Sequence, residues 1–68
     1  MSEDTHNDIR KLLKTFGIEA DEQTMAFVAN NPGDTPLTVR LILEDITDYG
    51  DAAPDQWLHI EIEGEVRR

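Results

Sequence analysis

The chain has 68 residues, enough for one small domain, and its fifteen Asp and Glu residues against six Lys and Arg give a net charge of −9 at pH 7. No apolar segment approaches the roughly 18 residues of a membrane span, and the chain does not start like a signal peptide. Binding to nucleic-acid phosphates needs clustered Lys and Arg, which this acidic chain does not offer. The absence of cysteine excludes disulfides and thiolate chemistry. We therefore expect residues 1–68 to form a single small acidic domain in the cytoplasm, without membrane or direct nucleic-acid contact.

The first predicted element is an amphipathic helix over residues 5–16, after a polar start at residues 1–4 that we expect to fray. Thr5 or Asn7 can cap this helix, and Gly17 follows its last apolar position as a left-handed stop. The apolar side chains recur at helical spacing. They are Ile9, Leu12, Leu13 and Phe16.

A second short helix is predicted over residues 21–30. Asp21 is a suitable N-cap, and the negative charge of Glu22 in the first turn is favoured by the helix dipole. The following segment, residues 30–34, reads Asn-Asn-Pro-Gly-Asp and ends the helix by turn chemistry. An apolar stripe on this helix consists of Met25, Phe27, Val28 and Ala29.

The C-terminal half changes to a strand pattern, with predicted strands over residues 37–47 and 56–66 and a turn-rich loop over residues 48–55. In the second strand Leu58, Ile60 and Ile62 alternate with polar side chains. We therefore predict an α+β fold, in which two short N-terminal helices pack on one face of a C-terminal antiparallel β-hairpin. The predicted core consists of apolar side chains from both helices and from that face.

Residues 36–49 also fit a third helix. Thr35 could be its N-cap, Pro36 its first residue and Gly50 its stop. The alternative fold is then a three-helix bundle with a C-terminal strand. We prefer the hairpin because the strand at residues 56–66 needs a hydrogen-bonding partner, and residues 36–47 offer one.

Few residues in the chain suggest chemistry. His59, Glu61 and Glu63 share one predicted strand face, and imidazole with carboxylates can bind zinc, but converging ligands from another element are not indicated. The acidic residues around the loop do not match the register of a calcium-binding loop. The sequence contains no pattern typical of a serine catalytic triad, and it has neither the glycine-rich phosphate-binding loop nor the glycine motif of dinucleotide-binding proteins. We predict no catalytic residue, no metal site and no cofactor, and hence a protein that is not an enzyme.

The predicted hairpin carries a negative surface. From Leu41 to Glu65 the sequence has eight acidic residues and no Lys or Arg. Such charge keeps a small domain dispersed, and it can also recognise a basic partner. By alternation Trp57 lies on the polar strand face near Ile42 and Ile46, and an exposed tryptophan there is typical of a binding anchor. The predicted partner-binding residues are Trp57, Ile42, Ile46, His59, Glu61, Glu63, Asp48 and Asp51.

Two functions follow from this surface. In the first, the chain is a small acidic protein-interaction module, a regulatory or accessory subunit that docks through its hairpin onto a protein with a basic surface. In the second, it is an inhibitor of phage type whose carboxylates imitate nucleic-acid phosphates and block a DNA- or RNA-binding enzyme. A homodimer through the Trp57 face or a free strand edge is a further option, which repulsion between two acidic chains opposes.

Overall fold

The structure, a computed structural model, describes residues 2–68. The element order is one helix, α1 (Glu3–Asn30), followed by two strands, β1 (Leu37–Glu44) and β2 (His59–Val66). The chain divides into two units, Met1–Gly33 and Asp34–Arg68. The first unit contains α1, and the second contains the hairpin.

Helix α1 begins and ends with side-chain caps. The Ser2 hydroxyl accepts a hydrogen bond from the Thr5 backbone N–H at 3.2 Å, and acidic residues occupy the first turn, where the helix dipole favours them. At the other end, the Asn31 side-chain amide donates to the Phe27 carbonyl at 2.9 Å. Pro32 then has no N–H to continue the ladder, so the helix ends before it.

The prediction of two short helices is wrong, because α1 continues through Gly17 without a break. Gly17 does not adopt a positive φ. Glycine permits a left-handed stop but costs only about 1 kcal/mol inside a helix relative to alanine, and the strong helix formers that follow it sustain the hydrogen-bond ladder. They are Glu19, Ala20, Glu22 and Gln23.

The predicted helix starts also need correction. The N-cap of α1 is Ser2 instead of the predicted Thr5 or Asn7. Asp21, the predicted cap of a second helix, lies in the middle of α1. Residues 3 and 4, which the prediction placed in a frayed start before the helix, form part of the first turn of α1, and Met1 lies outside the described residues. The predicted arrangement of two helices packed on a hairpin is therefore replaced by one long helix and a hairpin.

The β-hairpin is confirmed, and the three-helix alternative is wrong. Strands β1 and β2 pair antiparallel, with Leu37 opposite Val66 and Glu44 opposite His59. Because residues of a cross-strand pair share a face and alternate residues point to opposite faces, the register puts seven side chains on one apolar face and Gly64 beside them. The seven are Leu37, Val39, Leu41, Leu43, Ile60, Ile62 and Val66.

Both strands are shorter than predicted at the loop end. The Asp45 N–H donates to the Leu58 carbonyl at 2.9 Å just beyond the last pair of the ladder, and the chain then enters the loop. The turn-forming carboxylate of Asp45 draws the backbone N–H of Thr47 toward itself, which takes that residue out of strand geometry.

The predicted buried core is not found, since no side chain within residues 2–68 is buried. The apolar side chains of α1 and of the hairpin's apolar face range from half-buried to exposed. In this part of the chain, no helix combines the length and the apolarity that crossing a membrane requires.

Candidate functional site

The second face of the hairpin, here called the acidic face, is set by the strand register. It carries four residues of each strand, paired across the ladder. The eight residues are Thr38, Arg40, Ile42 and Glu44 of β1, and Glu65, Glu63, Glu61 and His59 of β2. Four of the eight are glutamates, so the face is negative apart from one guanidinium and one imidazole.

Arg40 and Glu63 are directly opposite each other and form an ion pair. The Glu63 Oε2 oxygen accepts from Arg40 Nη2 at 2.7 Å and from Nε at 3.1 Å. Both side chains are more than half exposed, at 55% and 58%. Water and salt therefore screen the pair, but it removes one negative charge from the middle of the face.

His59 lies between two carboxylates at the loop end of the same face. Its Nε2 is 3.0 Å from Oε1 of Glu61, two residues along β2, and its Nδ1 is 3.7 Å from Oε2 of Glu44 across the ladder. Within residues 2–68 the structure has no group of three His, Cys, Asp or Glu side chains arranged to hold a metal ion. The imidazole is at hydrogen-bond distance from Glu61 and at ion-pair distance from Glu44.

The loop between the strands is organised by Asp45. Its Oδ1 accepts from the Thr47 backbone N–H at 2.9 Å, and its Oδ2 accepts from the Tyr49 hydroxyl. Hydrogen bonds from the Thr47 side chain, the Tyr49 phenol and the Thr47 N–H lower the pKa of Asp45, because each stabilises the carboxylate. The hydrogen bond to Asp45 raises the pKa of Tyr49, since ionising the phenol would destroy it.

A turn follows directly after Tyr49. The Asp48 Oδ1 oxygen accepts from the Gly50 N–H at 3.0 Å, and the Ala52 N–H donates to the Tyr49 carbonyl at 3.1 Å. Gly50 has a φ of 60°, a left-handed conformation that glycine adopts without a steric penalty. These local bonds hold the loop in a defined course.

Trp57 contacts the organised loop through its ring. The Tyr49 and Trp57 ring centroids are 5.4 Å apart with an interplanar angle of 68°, an edge-to-face arrangement that aromatic quadrupoles favour. Trp57 is still 51% exposed. One part of the indole therefore contacts Tyr49, and the rest is exposed to solvent.

The structure brings together only some of the predicted partner-binding residues. Ile42, His59, Glu61 and Glu63 share the acidic face. Asp48 and Asp51 lie in the loop, where Asp48 holds the turn at Gly50. Trp57 also lies in the loop, against Tyr49, and Ile46 is the most exposed of the large apolar side chains in residues 2–68, at 86%.

Sequence reasoning missed Asp45 and Tyr49 as the residues that organise the loop. A local signal was present, because an aspartate followed two residues later by an N–H donor is the pattern of an Asx turn. The Tyr49 contact was harder to foresee, since it joins residues eight apart through a loop whose course the turn decides.

The charge of the hairpin unit is strongly one-sided. Residues 34–68 have nine carboxylate side chains against three arginines. One arginine is Arg40, in the ion pair with Glu63, and the others are the terminal Arg67 and Arg68. Arg68 donates through Nε to the Thr35 carbonyl at 2.7 Å, at the end of the hairpin that is opposite the loop. The loop end is thus the most negative part of the unit.

Comparisons of the chain with known protein families, with curated proteins and with solved structures gave no match.

Proposed function

We propose that this chain is a non-enzymatic protein-interaction module whose hairpin docks, through the acidic face and the loop, onto a basic surface of a larger protein. The observation that carries the proposal is the position of Trp57. The indole contacts the Tyr49 ring, is half exposed, and belongs to the loop between the strands, which also carries four aspartates. An exposed aromatic anchor in a charged segment is typical of a protein interface.

The two components have different roles in binding. Carboxylates near the loop end steer a basic partner toward the hairpin and raise the association rate. Trp57 then enters a pocket of the partner, and its bracing by Tyr49 lowers the conformational entropy lost on binding. Affinity therefore depends on the indole, and the rate of association depends on the carboxylates.

The exposure of the acidic face favours binding over catalysis. The Glu44, Glu61 and Glu63 side chains are between 45% and 58% exposed. Catalytic groups usually lie in a cleft from which water is excluded, whereas these carboxylates are solvated.

Imitation of nucleic acid has less support than protein docking. A mimic needs an uninterrupted row of negative charges, and Glu61, Glu63 and Glu65 are evenly spaced along β2. Arg40 neutralises the middle one of the three, and His59 contacts the first. The row is therefore broken where a phosphate backbone would be continuous.

The proposal is tested on the partner that the immobilised full chain captures from a lysate, after that partner has been identified and purified. Titration calorimetry then gives the affinity, and stopped-flow kinetics the association rate, for the unchanged chain, Trp57→Ala and Glu61→Lys. We expect Trp57→Ala to weaken binding by about 2 kcal/mol, roughly thirtyfold, as for a buried anchor. Glu61→Lys should slow association and reduce its salt dependence.

Asp21→Lys is the matched control, because it changes the net charge by the same amount on α1 instead of on the hairpin. It should leave the affinity close to that of the unchanged chain. Equal effects of Asp21→Lys and Glu61→Lys would mean that only net charge matters. If Trp57→Ala binds normally while affinity falls steeply with salt, the mimic explanation replaces the docking module.

A further inference from the structure

The backbone hydrogen bonds of the hairpin show which groups of β1 face away from β2. The Asp45 N–H donates to the Leu58 carbonyl at 2.9 Å, so the N–H and C=O of residue 45 point toward β2. In an antiparallel ladder these groups alternate in direction from one residue to the next. The even-numbered residues of β1 therefore direct their N–H and C=O groups outward, along an edge that no strand of residues 2–68 occupies. They are Thr38, Arg40, Ile42 and Glu44.

The outer edges of the two strands differ in how they are protected from pairing. On β2 the residues that direct their backbone groups outward are His59 and three glutamates, so two copies of this edge paired over most of their length would set glutamates beside glutamates. On β1 the eight residues Leu37–Glu44 pair regularly with β2 and include no proline or lysine, the residues that usually protect an edge. The β1 edge is therefore the one that favours a further strand.

We propose that β1 pairs antiparallel with β1 of a second copy of this chain, about a two-fold axis at Ile42, so that two hairpins form one four-stranded sheet. The outward groups of Arg40, Ile42 and Glu44 then bond to those of Glu44, Ile42 and Arg40 of the second copy. Arg40 lies directly opposite Glu44 of the second copy on the same face, and two-fold symmetry makes this charge pair twice.

Face alignment and charge select this register. A shift by one residue would join the apolar face of one hairpin to the acidic face of the other, so only shifts by two residues compete with it. A shift by two in one direction sets Arg40 opposite Ile42 and diagonal to Arg40 of the second copy. A shift by two in the other direction does the same for Glu44. Either shift therefore loses the direct charge pairs and brings like charges together.

Arg40 has the donors that a second carboxylate requires. Its guanidinium has five N–H groups, and the two bonds to Glu63 come from Nε and Nη2. Glu63 lies across the ladder on β2, whereas Glu44 of the second copy approaches from the outer edge of β1. Arg40 is thus flanked by a carboxylate on each side, which compensates both strands with one cation.

The ends of the hairpin are complementary in the same arrangement. Antiparallel pairing sets the loop end of each hairpin, with its four aspartates, beside the opposite end of the other, where Arg67 and Arg68 follow β2. The arginines are about two strand spacings, roughly 10 Å, from β1 of the second copy. This is about one Debye length at physiological salt, so the attraction offsets part of the repulsion between two acidic chains.

Pairing at this edge also extends the apolar face. A two-stranded hairpin is marginally stable by itself, and no side chain within residues 2–68 is buried. In the proposed register Leu41 lies beside Leu43 of the second copy, so the apolar face continues across four strands. The inference uses only the edge of β1, so it does not depend on the function proposed for the acidic face and the loop.

Sedimentation equilibrium of the full chain at high micromolar concentration tests the pairing. We expect a species of about twice 7.7 kDa. Ile42→Pro should shift it to the monomer, because proline removes the outward N–H at the centre of the new ladder and no bond to β2. Glu61→Pro is the matched control and should stay dimeric, since Glu61 lies opposite Ile42 with its N–H directed outward from β2. The amide NMR spectrum shows whether each variant keeps the hairpin.

A charge reversal tests the register. Glu44→Lys should weaken association by about tenfold, because it turns two attractive pairs into two repulsive ones. Glu65→Lys makes the same change of charge on the same face but at the β2 edge. It should leave association unchanged or strengthen it, since it reduces the net negative charge. These two variants carry the test if Ile42→Pro does not fold.

Isotope-filtered NMR of a dimer with one labelled copy identifies the neighbouring residues directly. Leu41 and Leu43 of the second copy form a non-hydrogen-bonded pair with Cα atoms about 4.5 Å apart, so their α-protons should give a nuclear Overhauser effect between copies. In the register shifted by two residues, Leu41 would instead contact Leu41 of the second copy.

Four results would overturn the proposal. They are a monomer at high concentration, a dimer that a folded Ile42→Pro variant leaves intact, an association that Glu44→Lys does not weaken, and a contact of Leu41 with its own counterpart in place of Leu43.

Discussion

The Tyr49 hydroxyl donates a hydrogen bond to Oδ2 of Asp45, four residues earlier in the loop. The same carboxylate accepts the Thr47 N–H through its other oxygen, so one aspartate orders the chain on both sides of Asp48. The ring that Asp45 positions then contacts Trp57. The position of Trp57 thus depends on Asp45 through the Tyr49 ring.

The first prediction concerns alkaline titration. Because the bond to Asp45 raises the pKa of Tyr49, its stabilisation of the loop is complete below the ordinary tyrosine pKa of about 10 and is lost as the pH rises through the raised value. The chain has one tyrosine, so ultraviolet absorbance of the tyrosinate follows it directly. Asp45→Asn should move the midpoint down toward the ordinary value. Asp48→Asn, which leaves the Tyr49 bond in place, should not, and equal midpoints in all three proteins would contradict the prediction.

The second prediction concerns acid. Because its hydrogen bonds lower the pKa of Asp45, they stabilise the loop above the ordinary aspartate pKa of about 4, and this stabilisation is lost as the pH falls through the lowered value. Thr47→Val removes the side-chain donor that contributes most and keeps the backbone N–H, so the pKa of Asp45 should rise. Carbon-detected NMR of the carboxyl group measures it. Thr38→Val on β1 is the control, and a shift as large in that variant would exclude Thr47 as the cause.

The third prediction contrasts two glycines. Gly17 is inside α1 with open space around it, so Gly17→Ala should stabilise the helix by about 0.5–1 kcal/mol. Gly50 has a positive φ, so Gly50→Ala should destabilise the turn by about 1 kcal/mol. Circular dichroism measures the helix, and amide exchange at Ala52 measures the turn. A loss of helicity in Gly17→Ala would indicate a left-handed stop at Gly17 and two helices after all.

The fourth prediction concerns the Arg40–Glu63 pair. A double-mutant cycle with Arg40→Met and Glu63→Gln should give a coupling of about 0.5 kcal/mol, because both side chains are more than half exposed and water screens them. The coupling should decrease as salt is added. Amide exchange in the β1–β2 ladder measures it, and Glu65→Gln serves as a control across from Thr38. A coupling well above 1 kcal/mol that salt does not change would contradict this explanation.

The hairpin could be predicted from the sequence because its signal is local and strong. Strict alternation from Leu58 to Ile62 puts apolar side chains on one face, and a shift of one residue would turn them all to the other. A strand of that length also needs a partner, and residues 37–44 have the matching pattern. The acidic face followed from the same alternation, including the shared face of Ile42, His59, Glu61 and Glu63.

Helix continuity could not be decided from the sequence. Gly17 is compatible with a stop and with a helix interior, and these alternatives differ by only about 1 kcal/mol, less than the summed preference of the residues around it. The course of the loop was equally open, because the contact of Tyr49 with Trp57 depends on where the Asp45 turn directs the chain. Alternation along a strand is dictated by backbone geometry at each residue, and the sequence therefore determined it. Helix continuity and the ring contact depend on small differences summed over many residues, which only the folded structure decided.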